Sequence, residues 1–289
     1  MTRLASTADG IARVGDWEAD LLDLPYSDLG AAFRAGVTAR ELAEAPAREQ
    51  VEVGDLTLLA TIPRPPKIWA VGFSYADHRM EVGYVEAVQE PVIFLKAPTS
   101  VIGTGADVVF PPVAPSEVDY EGELAVVMGA VAKAVDQESA MDFVAGFTIG
   151  NDVSARDVQK GRVLNRAADV SAAKSFDTFT PLGPWLTTID ELDDPHDLRL
   201  QTWVDGELRQ DASTAQLIYP VPWIVAYLSR QTTLEPGDVI MTGTPAGVGH
   251  KQGKFLRSGS SVRITIEGLG TLENRFAAAD TALGERVTR

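Results

Sequence analysis

The stretch "VDYEGELAVVMG", Val118 to Gly129, places three carboxylates ahead of an apolar run. Read as a strand, its side chains alternate between two faces. Asp119, Glu121 and Glu123 then share one face, which Ala125 and Val127 continue, and Tyr120, Leu124 and Val126 take the other. The C-terminal half is apolar on both faces, which predicts burial. The N-terminal half crowds like charges onto one side. At an effective dielectric of about 20, two unit charges about 4 Å apart repel by ~4 kcal/mol. Water on a half-exposed antiparallel strand relieves that, and so does a shared proton or a cation. Glu-x-Glu by itself does not choose among the three.

The surroundings are of the same kind. From residue 67 onward, short runs rich in valine, isoleucine, threonine and aromatics alternate with Gly and Pro turns: "KIWAVGF", "PVIFLKA", "DVVFPP", "AGFTIGNDVS", "GPWLTTI", "LRLQTWVDGEL", "DVIMTG" and "SVRITIEGLG". "VDGE" (Val204–Glu207) is a hairpin signal, and "PGD" (Pro236–Asp238) is a turn before a strand. Helices are expected only after Tyr75, around Asp136–Val144 and over Pro220–Leu234. The fold class is α+β and predominantly β, without the regular βαβ alternation of a doubly wound sheet. Neither a dinucleotide fingerprint nor a phosphate-binding P-loop occurs.

Before residue 67 the texture differs. "WEADLLDLPYSDLGAAFRAG" and "TARELAEAP" read as helical pieces, and "LTLLATI" (Leu56–Ile62) as a short strand. Pro63, Pro65 and Pro66 remove backbone donors and punctuate the chain. They suggest a small α+β N-terminal domain over 1–63 and a second domain over 64–289.

Composition narrows the function classes. The 289 residues are 45% hydrophobic, ample for a core, and contain no cysteine, so disulfides, thiolate nucleophiles and thiolate metal sites are excluded. A formal charge of -16 repels phosphate backbones and anionic lipid, which argues against nucleic-acid and membrane partners. The first twenty residues lack the apolar core of a signal peptide, and no run reaches membrane-spanning length, so the expectation is a soluble, cytoplasmic protein.

Four further stretches bear on chemistry. "GFTIGNDVSARDVQ" (Gly146–Gln159) is an apolar strand ending in Asn151-Asp152. Asp152 is either a helix N-cap or a third oxygen donor beside Glu121 and Glu123. Oxygen donors without His or Cys suit a hard ion such as Mg²⁺, Mn²⁺ or Ca²⁺. Of three histidines, His196 and His250 fall in segments that read as exposed loops, whereas His78 has Glu81 three residues on. On a helix that pair is either a surface ion pair or a base with the carboxylate that orients it. Lys174, in "SAAKSFDTFTPLGPW", is a lone cation that either meets solvent or neutralises a carboxylate or a substrate oxygen. "TGTPAGVG" (Thr242–Gly249) is a tight turn or a set of amides presented to an anion.

Taken in order, "KIWAVGFSYADHRMEVG", "PVIFLKAPTSVIG", "VDYEGELAVVMG", "GFTIGNDVSARDVQ", "AKSFDTFTPLGPW", "DGELRQ", "LEPGDVIMTGTPAGVG" and "GLGTLEN" resemble the fumarylacetoacetate hydrolase family from Lys67 to about Asn274. The resemblance implies a catalytic domain built as a mixed β-sheet roll or sandwich with short helices, and a homodimer. It implies a divalent metal, commonly Mg²⁺, on Glu121, Glu123 and Asp152, and a His78–Glu81 dyad on a lid. Lys174 matches the family's catalytic lysine. Arg156, Gln159, Thr244 and Lys96 match positions near substrate. Two departures from the family's pattern, Ser74 in "GFSY" and Ala97 between Lys96 and Pro98, fall in segments that lie close to the pocket in the family, which bears on substrate rather than on metal.

The implied activity is hydrolysis of a C–C bond in a β-diketo acid such as an acylpyruvate, of the kind used in aromatic catabolism. A bound metal would stabilise a pyruvate enolate, and His78, oriented by Glu81, would activate water. The same site also suits decarboxylation of oxaloacetate, or isomerase and hydratase reactions on 2-oxo-dienoates. All share a small 2-oxo acid and its enolate.

Overall fold

The N-terminal residues begin as strands. The computed structural model describes residues 2–83, 90–114, 116–163 and 167–279. A meander of β1 (Arg3–Thr7), β2 (Gly10–Val14) and β3 (Glu18–Leu22) precedes α1 (Leu29–Arg34), α2 (Ala39–Glu44) and β4 (Ala47–Glu52). "WEADLL" is therefore strand where helix was expected. Ala19, Leu21 and Leu22 are buried while Glu18 is exposed, and the ladders to β2 and β4 settle the choice. Helix α1 is N-capped by Asp28, and α2 opens on a capping box of Thr38 and Glu41. β4, "AREQVE", lies at the sheet edge with its charges exposed, which discourages pairing with another chain. "LTLLATI" contributes only an isolated bridge between Leu58 and Thr7.

The chain continues through β5 (Ile68–Gly72), α3 (Ala76–Val82), β6 (Val92–Lys96), β7 (Val101–Ile102) and β8 (Val108–Val109). The opening stretch forms two pieces, β9 (Val118–Asp119) and β10 (Gly122–Met128). Then come β11 (Val144–Asn151), β12 (Ser154–Ala155), α4 (Arg156–Gln159), α5 (Val170–Ala173) and β13 (Thr180–Thr188). The remainder comprises β14 (Arg199–Val204), β15 (Glu207–Ser213), α6 (Val221–Gln231), β16 (Val239–Met241), α7 (Gly249–Gln252), β17 (Ser261–Ile266) and β18 (Gly270–Ala277). Asp205 and Gly206, at φ 51° and 83°, make the two-residue turn that "VDGE" predicts.

The large sheet runs β4-β3-β2-β1-β13-β11-β10-β16-β5-β6. β7 lies a few residues beyond β6 and pairs in parallel with β13, so the sheet curls back on itself into a roll. A second sheet, β15-β14-β17-β18-β8, packs against it. The fold is thus α+β and mostly β, as expected. No described helix is long and apolar enough to cross a membrane.

β10 lies between two cores, and the alternation read from sequence holds. Leu124, Val126 and Met128 pack with Phe147 and Ile149 of β11, with Leu200, Ile264 and Leu272 of the second sheet, and with α6. Ala125 and Val127 face the other way, into a core shared with Leu4, Ile11, Leu29, Phe33, Ile68 and Met241. Full burial of a Leu, Ile or Phe side chain contributes about 1.5–3 kcal/mol, so Leu4, Ile11, Leu29 and Phe33 tie the first sixty residues firmly to the rest. Sheet and core both continue across the proline segment.

Candidate functional site

Antiparallel register assembles the carboxylates. β10 pairs with β11 so that Gly122 faces Asn151 and Glu123 faces Gly150. Asp152, one residue past β11, therefore lies beside Glu121, and its N–H donates to the Glu121 carbonyl (2.8 Å). β16 pairs on the other side of β10, which brings Thr242, Gly243 and Thr244 to the same end. β5 runs parallel to β16 and delivers Gly72, Phe73 and α3 there too. Four neighbouring strands thus converge on one cavity of ≈ 210 Å³, lined by Glu121, Glu123, Asp152, His78, Lys174 and Thr244 among others. A larger groove of ≈ 720 Å³ around Arg209 and Lys254 lies apart from these carboxylates.

Gly122, between the two glutamates, marks a close approach of the sheets. A Cβ there would overlap Thr202 Oγ1 and press on Gln210 Oε1, which already accepts the Gly122 N–H (3.1 Å). A side chain at this position would push the second sheet away from the carboxylates.

Glu121, Glu123 and Asp152 each offer an oxygen within 4.8 Å of the others, and all three are buried. Cations compensate them unevenly. Lys174 Nζ donates to Glu121 Oε2 (2.6 Å) and Asp152 Oδ2 (2.5 Å), and Arg156 Nη2 donates to Glu121 Oε1 (2.5 Å). Burial opposes ionisation of Glu121, but Lys174 and Arg156 outweigh it and hold its carboxyl below the usual range. Among the described residues, Glu123 receives only the Gly243 N–H (2.7 Å). Burial, then the charges of Asp152 and Glu121, push its carboxyl well above the usual range. Buried negative charge left over on an all-oxygen donor set fits a hard divalent cation, so these residues fit Mg²⁺ or Mn²⁺.

Lys96 is placed otherwise than expected. The curl of the sheet carries it behind Asp152, where its ammonium donates to Asp152 Oδ1 (2.5 Å) and to the carbonyls of Lys174 (2.6 Å) and Phe179 (3.2 Å). Its three donors are taken and its side chain is fully buried, so it braces Asp152 instead of reaching substrate. Thr244 does line the cavity, yet its hydroxyl donates to the Gly122 carbonyl (2.9 Å) and accepts from Gln210 (2.7 Å). Arg156 serves the protein's own groups through each of its three nitrogens, with one N–H left over on each Nη. Nε donates to Asp119 Oδ2 (2.9 Å), Nη2 to Glu121, and Nη1 to Gln159 Oε1 (3.0 Å). Among the described residues, nothing accepts from the Gln159 amide N–H₂.

Asp119, left without a role by the sequence, proves to be an anchor. It is fully buried and accepts from Arg156, from its neighbour Tyr120 N–H (3.0 Å), and from the backbone of Gly249 (2.8 Å) and His250 (3.0 Å). Burial pushes its carboxyl up, but Arg156 outweighs that and the net shift is downward. The signal was present: Asp119 shares the face of Glu121, and β9 pairs with β12, whose end leads straight into Arg156. His250 is not an exposed loop residue; it lines the cavity with its side chain 11% exposed.

Helix α3 supplies an imidazole and a carboxylate. His78 Nδ1 lies 3.1 Å from Glu81 Oε2. A carboxylate can only accept, so the shared proton sits on Nδ1 and Nε2 keeps its lone pair. Glu81 Oε1 accepts the Gly247 N–H (3.1 Å), which fastens α3 to the "TGTPAGVG" turn. His78 stacks on Phe73, which holds a left-handed φ of 59°. The site thus combines a basic imidazole with its orienting carboxylate, an ammonium, and a cluster of oxygen donors around a small cavity with valine and phenylalanine walls.

Residues 67–277 match the family model described as fumarylacetoacetate (FAA) hydrolase C-terminal. The oxaloacetate tautomerase YisK of Bacillus subtilis is 42% identical over 249 residues, 82% of this chain and 81% of that protein. A solved 2-hydroxyhepta-2,4-diene-1,7-dioate isomerase from Mycobacterium marinum superposes with a TM-score of 0.79 at 34% identity, covering 97% of this chain and 100% of that one. Maleylpyruvate hydrolase from a Sphingobium species, solved with manganese(II) and pyruvate, gives 0.76 at 29%, over 96% and 100%.

Proposed function

The chain belongs to the fumarylacetoacetate hydrolase family, and from that premise we propose that it is a metal-dependent enzyme that shifts a proton on a 2-oxo acid by way of the enolate, a keto–enol tautomerase. The observation that carries this is the cavity lined both by His78, with Glu81 against its Nδ1, and by the buried carboxylate cluster. Glu121, Glu123 and Asp152 would hold the ion, Mg²⁺ or Mn²⁺. Bound there, it would supply the Lewis acidity that makes the carbon next to a keto group acidic enough to ionise.

The protein's own groups account for the proton. Nε2 of His78 takes it from the carbon beside the 2-oxo group, and Glu81 stabilises the imidazolium through Nδ1–H. His78 then delivers that proton to the enolate oxygen, which completes the shift from keto to enol form. Lys174 keeps Glu121 and Asp152 partly neutralised, so a dianionic substrate is not simply repelled. The valine and phenylalanine walls limit water around the enolate. The 42% identity to an oxaloacetate tautomerase supports this reading above the others.

A second reading is C–C hydrolysis, supported by the likeness to a maleylpyruvate hydrolase held with pyruvate. There the same imidazole would activate water against the distal carbonyl of a β-diketo acid.

Proton NMR in D₂O tests the proposal. The metal-loaded protein should wash the C3 protons of oxaloacetate into solvent at least a hundredfold faster than an equal concentration of free Mg²⁺, within the range usual for general base catalysis (about 10²–10⁴). EDTA should abolish the excess and Mg²⁺ restore it. Exchange no faster than with free Mg²⁺ would sink the tautomerase reading.

A further inference from the structure

We infer that Gln210 is a positioning residue for the carboxylate cluster: its amide stands in for a missing strand neighbour beside Gly122, and so sets how tightly Glu121, Glu123 and Asp152 take a divalent ion. This rests on the metal-dependent reading above and extends it to a residue of the second sheet.

Gln210 is out of keeping with its strand. It lies on β15, "ELRQDAS", at the edge of the second sheet. Every other residue of β15 is exposed or half-exposed, whereas Gln210 is buried at 1% exposure. An amide so far from water needs partners for its polar atoms. Oε1 accepts the Gly122 N–H (3.1 Å), and Nε2 donates to Thr244 Oγ1 (2.7 Å) and to the Pro245 carbonyl (2.9 Å). The Gly122 N–H can only donate and the Pro245 carbonyl can only accept, so the amide has one orientation.

The pairing of β10 explains why an amide is wanted there. In an antiparallel strand the N–H and C=O of one residue point to the same side, and that side alternates along the chain. Met128 and Leu124 turn theirs toward β16: the Met128 N–H donates to the Asp238 carbonyl (2.9 Å), and the Leu124 carbonyl accepts the Thr242 N–H (3.1 Å). Gly122 has the same parity. β16 ends at Met241, however, and the chain turns off through Gly243, at φ 100°. The backbone groups of Gly122 therefore emerge where the ladder has stopped. Gln210 takes the N–H, and the Thr244 hydroxyl takes the C=O (2.9 Å). Gly122, Gln210 and Thr244 close a ring of hydrogen bonds in which each polarises the next.

The ring fixes the spacing of the metal donors. Gly122 separates Glu121 from Glu123. Thr244 follows Gly243, whose N–H donates to Glu123 (2.7 Å). Removing the amide frees the Gly122 N–H and two acceptors of the turn at once. Glu123 and Gly243 are then less tightly held against Glu121 and Asp152. Partners that hold metal ligands from behind typically change metal affinity by about 10–100-fold.

The test reads Mn²⁺ affinity in the absence of substrate, from the electron paramagnetic resonance signal of the free ion, with the Tm of each metal-free variant as a check on folding. Q210L keeps most of the side-chain volume and loses every bond of the amide. It should raise the Kd for Mn²⁺ by about 10–100-fold. V204A thins the core of the same sheet away from the ring. It should lower Tm and leave the Kd within about twofold of wild type. An unchanged Kd in Q210L overturns the inference. So does an equal rise in V204A, which would trace the loss to a loosened sheet. If Q210L does not fold, T244V, which breaks the ring at its hydroxyl, decides alone: the Kd should rise about fivefold, and no rise overturns the inference. C3 exchange is followed in parallel. If the wild type binds Mn²⁺ without exchanging C3 protons, the assigned reaction falls, and a weakened Kd in Q210L still upholds the positioning role. A wild type that binds no Mn²⁺ overturns both.

Discussion

Glu123→Gln is expected to abolish the metal-dependent activity while leaving the metal-free protein at least as stable as the wild type. The two effects have opposite signs for one reason. Among the described residues, Glu123 is the carboxylate of the cluster that no side-chain cation contacts, and its oxygen accepts only the Gly243 amide. In metal-free protein its charge is opposed by burial and by Asp152 and Glu121. Glutamine keeps an oxygen for the Gly243 N–H and removes the charge. The metal-free variant should melt at or above the wild-type temperature. The same change removes one of three anionic donors. Thermal stabilisation by Mg²⁺ should vanish, and C3 exchange should fall by about 10³ or more. A variant that is destabilised without metal, yet still stabilised by Mg²⁺, would mean that Glu123 is a structural residue.

His78→Gln should lower C3 exchange by about 10²–10⁴ with metal binding intact. The side chain touches Glu81 and stacks on Phe73 but does not contribute to the carboxylate cluster. Stabilisation by Mg²⁺ should therefore match the wild type, which separates loss of the base from loss of the site. Decarboxylation of oxaloacetate needs stabilisation of the enolate but no base, so any such activity should survive far better than exchange. If exchange and decarboxylation fall equally, His78 acts by shaping the cavity and the proton-transfer role is wrong.

The site was legible where chemistry follows local pattern. Strand alternation placed Glu121, Glu123, Ala125 and Val127 on one face, and the two cores on either side of β10 follow that parity. His78 and Glu81 meet at helical spacing. What escaped depends on pairing between distant strands. "WEADLL" carries both acidic residues and alternation, and only the ladders to β2 and β4 make it a strand. Lys96 resembled a substrate contact because it lies near the pocket, but the curl of the sheet turns its ammonium onto Asp152. Asp119 could be placed on the right face yet not assigned, because its partners Arg156 and His250 come from segments 37 and 131 residues away. His250 lies in a turn whose sequence reads as solvent-exposed, and only its anchoring to Asp119 brings the ring to the cavity.

The central claim is that Glu121, Glu123 and Asp152 hold one divalent ion. Anomalous scattering from crystals soaked in Mn²⁺ tests it most directly. The account predicts one strong anomalous peak per chain, within coordination distance (about 2.0–2.3 Å) of an oxygen from each of the three carboxylates. No peak there at a concentration that saturates activity, or a peak coordinated by other residues, would contradict it.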